Sequence, residues 1–365
     1  MESTGKKRKR TGNRITLKDI ARHCGASRAS VAQVLNRHGT DFPISEAMIQ
    51  RVEASVRKLG YRPNRLARAL SSDRTHLIAL SHVHVDFQLL TPDQVAYVNQ
   101  VTGQFTRNVF RHPGFKDYDL VIHERRESAG RPLKPSDFKP DLFDGMIYLT
   151  PSEGHSEFLD IASEDFPIVL LGQTAGAEEK VPCIDINNRK MANRAVEHLI
   201  GLGRRNILML IPEKLQHITC IKDRLQGYRD ALTQNGIQIS GELIRTVRSL
   251  KDNVNTFFGD LRCLGEVDAI FCAFDDLAVL CIEPLQTMGY RIPGDIALMG
   301  FSDAPFSQLT TPPLSSVHLP TEKQFYAATD LLLKILKGEI PYEPGFHEIE
   351  TELVIRESTV VPDPG

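Results

Sequence analysis

What the 365-residue sequence lacks narrows its function first. It contains no apolar run near the roughly 18 residues that a membrane-spanning helix needs. The opening MESTGKKRKR leads into polar residues where a secretory signal would carry its apolar stretch, so a cytoplasmic protein without membrane contact is expected. The six cysteines (Cys24, Cys183, Cys220, Cys263, Cys272 and Cys281) include no C-x-x-C pair, which argues against a zinc site and against a disulfide-stapled scaffold. The even spacing of Cys263, Cys272 and Cys281 matches no familiar ligand pattern. There is no phosphate-cradling G-x-x-x-x-G-K-[ST] loop. The twelve histidines, His82 and His84 among them, stand at no recognised nucleophile–base spacing with Ser, Cys or Asp. Nothing here calls for catalysis, a cofactor or a metal, and His82 and His84 read as strand-end residues.

What is present is an ordinary globular composition, 41% hydrophobic and 25% charged, in a chain long enough for two or three domains. The net charge of −2 hides a division. Residues 1–74 hold 17 Lys and Arg against 6 Asp and Glu, which leaves 27 against 40 for the remainder. A basic head on an acidic body suits a polyanion-binding module joined to a larger soluble domain. The Lys6-Lys7-Arg8-Lys9-Arg10 run is expected to be a disordered tail, residues 1–13, that adds salt-sensitive phosphate attraction.

The head has a helical period. Thr16 stands before Leu17, Ile20, Ala21 and Cys24, which recur on one helix face, and its hydroxyl can accept a bond from a free N–H. Gly25 and Ala26 break that pattern. Ser27 then offers a second cap, and Val31, Val34 and Leu35 share a face of the next helix. A third helix is predicted from the cap Ser45, with Ile49, Val52, Val56 and Leu59 inward and Gly60 at its end. Two short helices joined by a glycine-containing turn make a helix-turn-helix.

The run ITLKDIARHCGASRASVAQVLN, followed by ISEAMIQRVEASVRKLGYRPNRLARAL, closely resembles the headpiece of the LacI/GalR family of bacterial repressors over residues 14–70. The resemblance implies that the second helix enters the major groove of double-stranded operator DNA, with base-reading positions at Arg28, Ala29 and Gln33. Arg28 can give guanine a bidentate pair, and Ala29 can offer only an apolar contact. Gln33 stands where the family usually has Arg, and a Gln prefers the adenine edge. Thr16, Ser27 and Asn36 serve caps and turns whether or not they also touch phosphate, and the resemblance places them, with Leu17, among the DNA-binding positions. The segment 37–43 is longer than the family's usual connection.

After Arg62-Pro63, Asn64 can cap a short helix through Leu70. So short a helix is unstable alone in water, and it is expected to fold on DNA. The resemblance implies that Asn64, Ala67 and Arg68 meet the minor groove while Leu70 wedges into the central base step and kinks the duplex.

From Thr75 onward, strand-like runs alternate with helical stretches: His76–Leu80, Tyr118–His123, Gly145–Leu149, Ile168–Leu171, Ile207–Ile211, Ala269–Ala273 and Ile296–Gly300. Such alternation predicts parallel sheets covered by helices, in two lobes with a ligand between the carboxyl ends of their strands. NNRKMANRAVEHLIGLGRRNI, RLQGYRDAL, CAFDDLAVLCIEPLQTMGYRIPGDIALMGFSD, TPPLSSVHLP and LVIREST resemble successive blocks of the same family. That likeness implies the periplasmic-binding-protein fold and a small-molecule effector, a sugar or related metabolite. The first lobe is less typical: residues 124–141 are polar and Pro-rich, and an irregular segment is predicted there.

The family's ligand-contact positions carry over as Arg224 and Asp275, with Phe274 where a polar amide is common and Ser302 in place of the first Asp of the usual G-F/Y-D-D. A pocket with fewer polar grips and an added aromatic should favour a less hydroxylated or partly apolar effector. The bland alternative for Arg224 and Asp275 is an ion pair that holds helices in place.

The expected organisation is a small all-α helix-turn-helix domain (14–62), a hinge (63–74) and a two-lobed α/β effector and dimerisation domain (75–361). Lobe 1 is expected at about 75–172 and 315–338, lobe 2 at about 173–314 and 339–361. A homodimer on a palindromic operator follows from the resemblance. The alternative is a DNA-binding regulator whose sensor has lost its effector and serves dimerisation or partner contact.

Overall fold

In the N-terminal head the apolar positions spaced three and four apart collapse three helices onto one another: α1 (Leu17–Cys24), α2 (Arg28–Leu35) and α3 (Glu46–Leu59). The structure, a computed structural model, describes residues 15–35, 44–61, 74–82, 92–123, 134, 138, 140–149, 157–247 and 264–360. Two compact units result, residues 1–75 and 76–365. Ile20, Val31 and Val52 are fully buried at the centre of the head, with Ile49, Val56 and Leu59 packed around them. Gly25 and Gly60 end α1 and α3 with φ of 64° and 63°, a left-handed turn in which any side chain is strained.

The cap at α1 differs in detail from the expectation. Asp19 is the acceptor: the Thr16 backbone N and hydroxyl both donate to its Oδ2, at 2.9 and 2.7 Å. These bonds, more than the nearby Arg22, hold the Asp19 carboxyl below its usual range. Ser27 caps α2 as expected, accepting from the Ser30 N–H at 3.0 Å.

The second unit runs β1 (Leu77–His82), α4 (Pro92–Arg111), β2 (Asp119–Ile122), β3 (Gly145–Leu149), β4 (Ile168–Leu171) and β5 (Pro182–Asp185). It continues with α5 (Asn188–Gly201), β6 (Ile207–Pro212), α6 (Thr219–Gln234), β7 (Ile244–Val247), β8 (Ala269–Cys272), α7 (Asp275–Thr287) and β9 (Ala297–Ser302). Last come β10 (Ser315–His318), α8 (Thr321–Leu336), β11 (Gly345–Glu348) and β12 (Leu353–Val354). The strands form two sheets, ordered β11-β5-β4-β3-β1-β2 and β12-β10-β9-β8-β6-β7. All pairs are parallel except β10 with β12. β3, β4, β5 and β8 are buried along their whole length, as continuous apolar strands covered on both faces should be.

Each lobe therefore has a core on either side of its sheet. In the first, Leu80 and Ile147 meet Phe105 of α4 and Phe325 and Leu332 of α8 on one face, while Met146 and Tyr148 meet Phe138 and Phe158 on the other. In the second, Met209 and Phe271 pack on Val196 of α5 and Tyr228 of α6, and Leu208 and Ile270 on Leu277 of α7. The helices α5 and α6 touch at Gly227, where a methyl group would overlap the Arg189 carbonyl.

The expected lobe boundaries need correction. β5 and β11 belong to the first sheet, and β10 belongs to the second. The chain thus passes between sheets at 186–187, 319–320 and 349–352, where the expected bounds put the three passages near 172–173, 314–315 and 338–339. Residues 182–185 fall on the wrong side of the expected boundary because Pro182-Cys183-Ile184-Asp185 shows too short a period to be read as a strand. Of the predicted irregular segment 124–141, only Lys134, Phe138, Pro140 and Asp141 are described. The tail 1–13, the loop 37–43 and the hinge helix at 64–70 lie outside the described residues.

Candidate functional site

On the head, α2 turns Val31 and Val34 inward, and its opposite face carries Arg28, Ala29 and Gln33, all exposed. Ala29 and Gln33 are four residues apart and so lie one above the other on that face. Thr16 and Ser27, just before the first turns of α1 and α2, are exposed as well, and Leu17 is half-buried. This helix therefore presents polar and small groups outward and packs its apolar groups on the core. Asn36, Asn64, Ala67, Arg68 and Leu70 lie outside the described residues.

In the second unit a cavity of about 460 Å³ opens between the lobes. Its wall includes Leu149, Leu171 and Asp185 at the carboxyl ends of β3, β4 and β5, and Ser302 and His318 at those of β9 and β10. This is where open parallel sheets place ligands, because the strand ends leave a crevice lined by loops. The volume lies within the range of small-molecule sites, about 300 to 1,000 Å³.

Arg224, projecting from α6, is buried and lines this cavity. Its Nε donates to Asn188 Oδ1 at 3.0 Å and its Nη1 to the Ala273 carbonyl at 2.7 Å. The guanidinium carbon lies 3.7 Å from the ring centre of Phe301 and 4.9 Å from that of Phe274. A desolvated cation over aromatic faces gains about 2 kcal/mol or more. Both partners of its hydrogen bonds are neutral, and the Asp185 carboxyl reaches it through Asn188.

Phe274 and Ser302 line the cavity, and Asp275 does not. Its side chain is fully buried and turned inward, where Oδ1 accepts from Ser316 Oγ at 2.6 Å and Oδ2 from Ser307 Oγ and the Ala304 N–H, both at 2.7 Å. The neighbouring Asp276 faces the cavity instead. Successive residues at a helix start point about 100° apart, so only one of the pair can face the ligand. The Arg224–Asp275 ion pair is likewise replaced: each makes its bonds to other groups.

Several cavity residues carry no mark in the sequence. Asp303, with φ of 51°, and Ser302, with φ of 140°, adopt backbone conformations that are strained for side-chain-bearing residues. The Asp303 N–H bonds to Ser316 Oγ at 3.0 Å, and its carboxylate is shared between Arg356 Nη2 at 2.7 Å and His318 Nδ1 at 3.0 Å. The carboxylate requires a proton on His318 Nδ1, so Asp303 sets the tautomer of a cavity-lining imidazole. Asp185 is nine-tenths buried, and burial raises its carboxyl to about 7 despite hydrogen bonds and Arg224, which pull the other way. Cys220 also lines the wall; burial pushes its thiol up to about 11 and keeps it neutral. Asp185, Asp276, Asp303 and His318 thus add polar groups to the wall that the sequence did not mark.

Among the described residues no group of His, Cys, Asp and Glu is arranged to hold a metal, and no helix is long and apolar enough to cross a membrane. Cys24, Cys183, Cys272 and Cys281 are buried free thiols, and Cys263, His84 and the side chain of His82 lie outside the described set.

A helix-turn-helix head on a two-lobed, periplasmic-binding-protein-like body defines the class: a DNA-binding transcriptional regulator. Residues 16–64 match the model of the bacterial regulatory proteins of the lacI family, and 196–359 match that of the periplasmic binding protein-like domain. The regulator CelR of Thermobifida fusca is 30% identical over 94% of this chain and 98% of its own length. The regulator RegA of Clostridium saccharobutylicum is 29% identical over 94% and 99%. Among solved structures, a CelR–cellobiose complex aligns at 26% identity with a TM-score of 0.64, covering 94% of this chain and all of that one. The lac repressor dimer bound to operator aligns at 20% identity with a TM-score of 0.74, over 95% and 99%, and shares the fold. The chain belongs to the lacI family, whose members regulate transcription and are not enzymes.

Proposed function

We propose that this chain is a homodimeric repressor that binds a palindromic operator through two heads and is controlled by a hydroxylated small molecule, a sugar or a close relative, held between the lobes. The observation that carries the reading is the cleft itself, where the buried Arg224 and the strand-end groups Asp185, Ser302 and His318 converge on one cavity. A guanidinium and an oriented imidazole suit hydroxyl and ring oxygens, and Phe274 supplies a face against which a sugar ring can stack. The CelR complex with cellobiose supports a sugar as the chemical class. Four polar groups that line the wall, Asp185, Asp276, Asp303 and His318, none marked in the sequence, move the expected effector away from a largely apolar molecule. On the head, Arg28, Ala29 and Gln33 read bases while Thr16, Leu17, Ser27 and Asn36 meet phosphates. Asn64, Ala67, Arg68 and Leu70 form the hinge contact in the minor groove.

Closure of the lobes on the effector changes the fit of the two heads to the operator, and by linkage the operator changes effector affinity by the same factor. The test is a thermal-shift screen of sugars, sugar acids and nucleosides, repeated with operator DNA. An effector at 100 times its Kd stabilises by about 2.7 kcal/mol, a shift of several degrees. Stabilisation that changes when operator is present supports the reading. If no compound in the panel moves the transition while operator binding persists, the sensor serves dimerisation or partner contact instead.

A further inference from the structure

The floor of the cleft is a chain of side-chain hydrogen bonds that runs from one lobe into the other. Gln324 of α8 donates through Nε2 to Asp185 Oδ1 at 3.0 Å, and the Ile186 N–H donates to the same oxygen at 2.8 Å. Asp185 Oδ2 accepts from Asn188 Nδ2 at 2.9 Å. The other end of that amide, Asn188 Oδ1, accepts from Arg224 Nε, whose Nη1 continues to Ala273 at the end of β8. Gln324 and Asp185 belong to the first lobe, Asn188 and Arg224 to the second, and the chain crosses at the 186–187 passage between sheets. All four side chains are nine-tenths or more buried.

Each of the three groups on the Asp185 carboxyl is a donor, so the arrangement is that of the ionised form. A proton has to settle on Oδ2, which accepts one of these bonds where Oδ1 accepts two. An O–H there faces the Asn188 amine, donor against donor. The Asn188 amide must then turn its oxygen to Asp185, which turns its NH₂ toward Arg224 Nε and removes the acceptor that fixes the guanidinium. Protonation at one end of the chain is thereby transmitted to the residue at the other.

We propose that Asp185 is a positioning residue for Arg224: ionised, it fixes the guanidinium through Asn188 and ties the two lobes at the cleft floor, and on protonation it releases both. That the released guanidinium holds the effector less well rests on the reading of the cleft as an effector site; the titration of Arg224 does not. The charged and titratable groups around Asp185 are Arg224, Asp223 and Cys220 on α6 and Cys183 on its own strand. Glu348 of β11 stands opposite it in register and is engaged with Lys190, and Glu322 and Lys323 precede Gln324 on α8. With its carboxyl raised to about 7, Asp185 changes state across the physiological range.

The experiment follows the Arg224 Nε–H resonance of the full-length protein by ¹⁵N NMR from pH 5.5 to 8.5, assigned by its disappearance in Arg224→Lys. The wild-type resonance should shift with a single midpoint near Asp185's own, and Asp185→Asn should abolish that shift. Gln324→Met keeps the test available if Asp185→Asn does not fold. It removes one donor from the ionised form and should move the midpoint up in pH. An Arg224 resonance that is pH-invariant in wild type, or that titrates alike in wild type and Asp185→Asn, or a midpoint unmoved by Gln324→Met, overturns the proposal. Failure of every sugar to bind leaves these outcomes unaffected, so the two readings fail separately.

Discussion

Asp275 sits where the family resemblance implies a ligand contact, and the structure gives it an internal task whose energy can be worked out. Asp275→Asn keeps the shape and removes the charge. The retained oxygen can go on accepting from Ser316, while the new NH₂ faces the Ser307 hydroxyl and the Ala304 N–H. The hydroxyl can rotate to accept, but the backbone N–H cannot and is left without an acceptor, at a cost of about 1 to 3 kcal/mol. The remaining bonds drop from charge-assisted to neutral strength, roughly 1 kcal/mol each. The loss is then about 3 to 5 kcal/mol, or roughly 6 to 15 °C in Tm for a unit of this size. Space offers no escape, since Asp275 Oδ1 fills the volume that a side chain at Gly300 would occupy. Differential scanning calorimetry of the variant, with and without an effector found in the screen, separates the roles. A variant that melts within about 2 °C of wild type yet binds effector poorly would falsify the internal role and restore Asp275 to the ligand.

Two further substitutions test the frame and the head. Gly227→Ala should destabilise the second lobe by about 1 to 3 kcal/mol, because the added methyl meets the Arg189 carbonyl, backbone that no rotamer change can move aside; urea denaturation should show the lower midpoint, and an unchanged one refutes the close approach. Gln33→Arg should change base preference at one position per half-site from adenine toward guanine, as read by selection from a random DNA pool, with no change in Tm because the side chain is exposed. An unaltered consensus removes Gln33 from the reading face.

The head was legible in the sequence almost to the residue because its signals are local. Caps, glycine stops and apolar spacing act within a few positions, and the bounds of α1, α2 and α3 follow from them. The sheets were legible only where a run was largely apolar, as in β4 and β8. β7, β10, β11 and β12 are two to four residues each, and their burial is partial or set by partners far along the chain, so periodicity had nothing to register. The site shows the same limit at higher resolution. Arg224, which lines the cavity, follows from the family resemblance of RLQGYRDAL, whereas telling which of Asp275 and Asp276 faces the cavity needs the helix phase at a cap.

Asp185 is the instructive omission. In sequence it is one acid after Pro182-Cys183-Ile184, with nothing nearby to suggest a charge held nine-tenths buried. Its partners come from positions 186, 188 and 324, and only the return of the chain to the first sheet through α8 brings the last of these into place. A signal of a weaker kind was present: an acidic residue that closes a fully apolar strand just before Asn187-Asn188 leaves a carboxylate at a strand end, where parallel sheets put their ligands. The rule that located the cleft therefore also applied to Asp185, had β5 been recognised as a strand. The strand was missed, and with it the residue that connects the two lobes at the floor of the cleft.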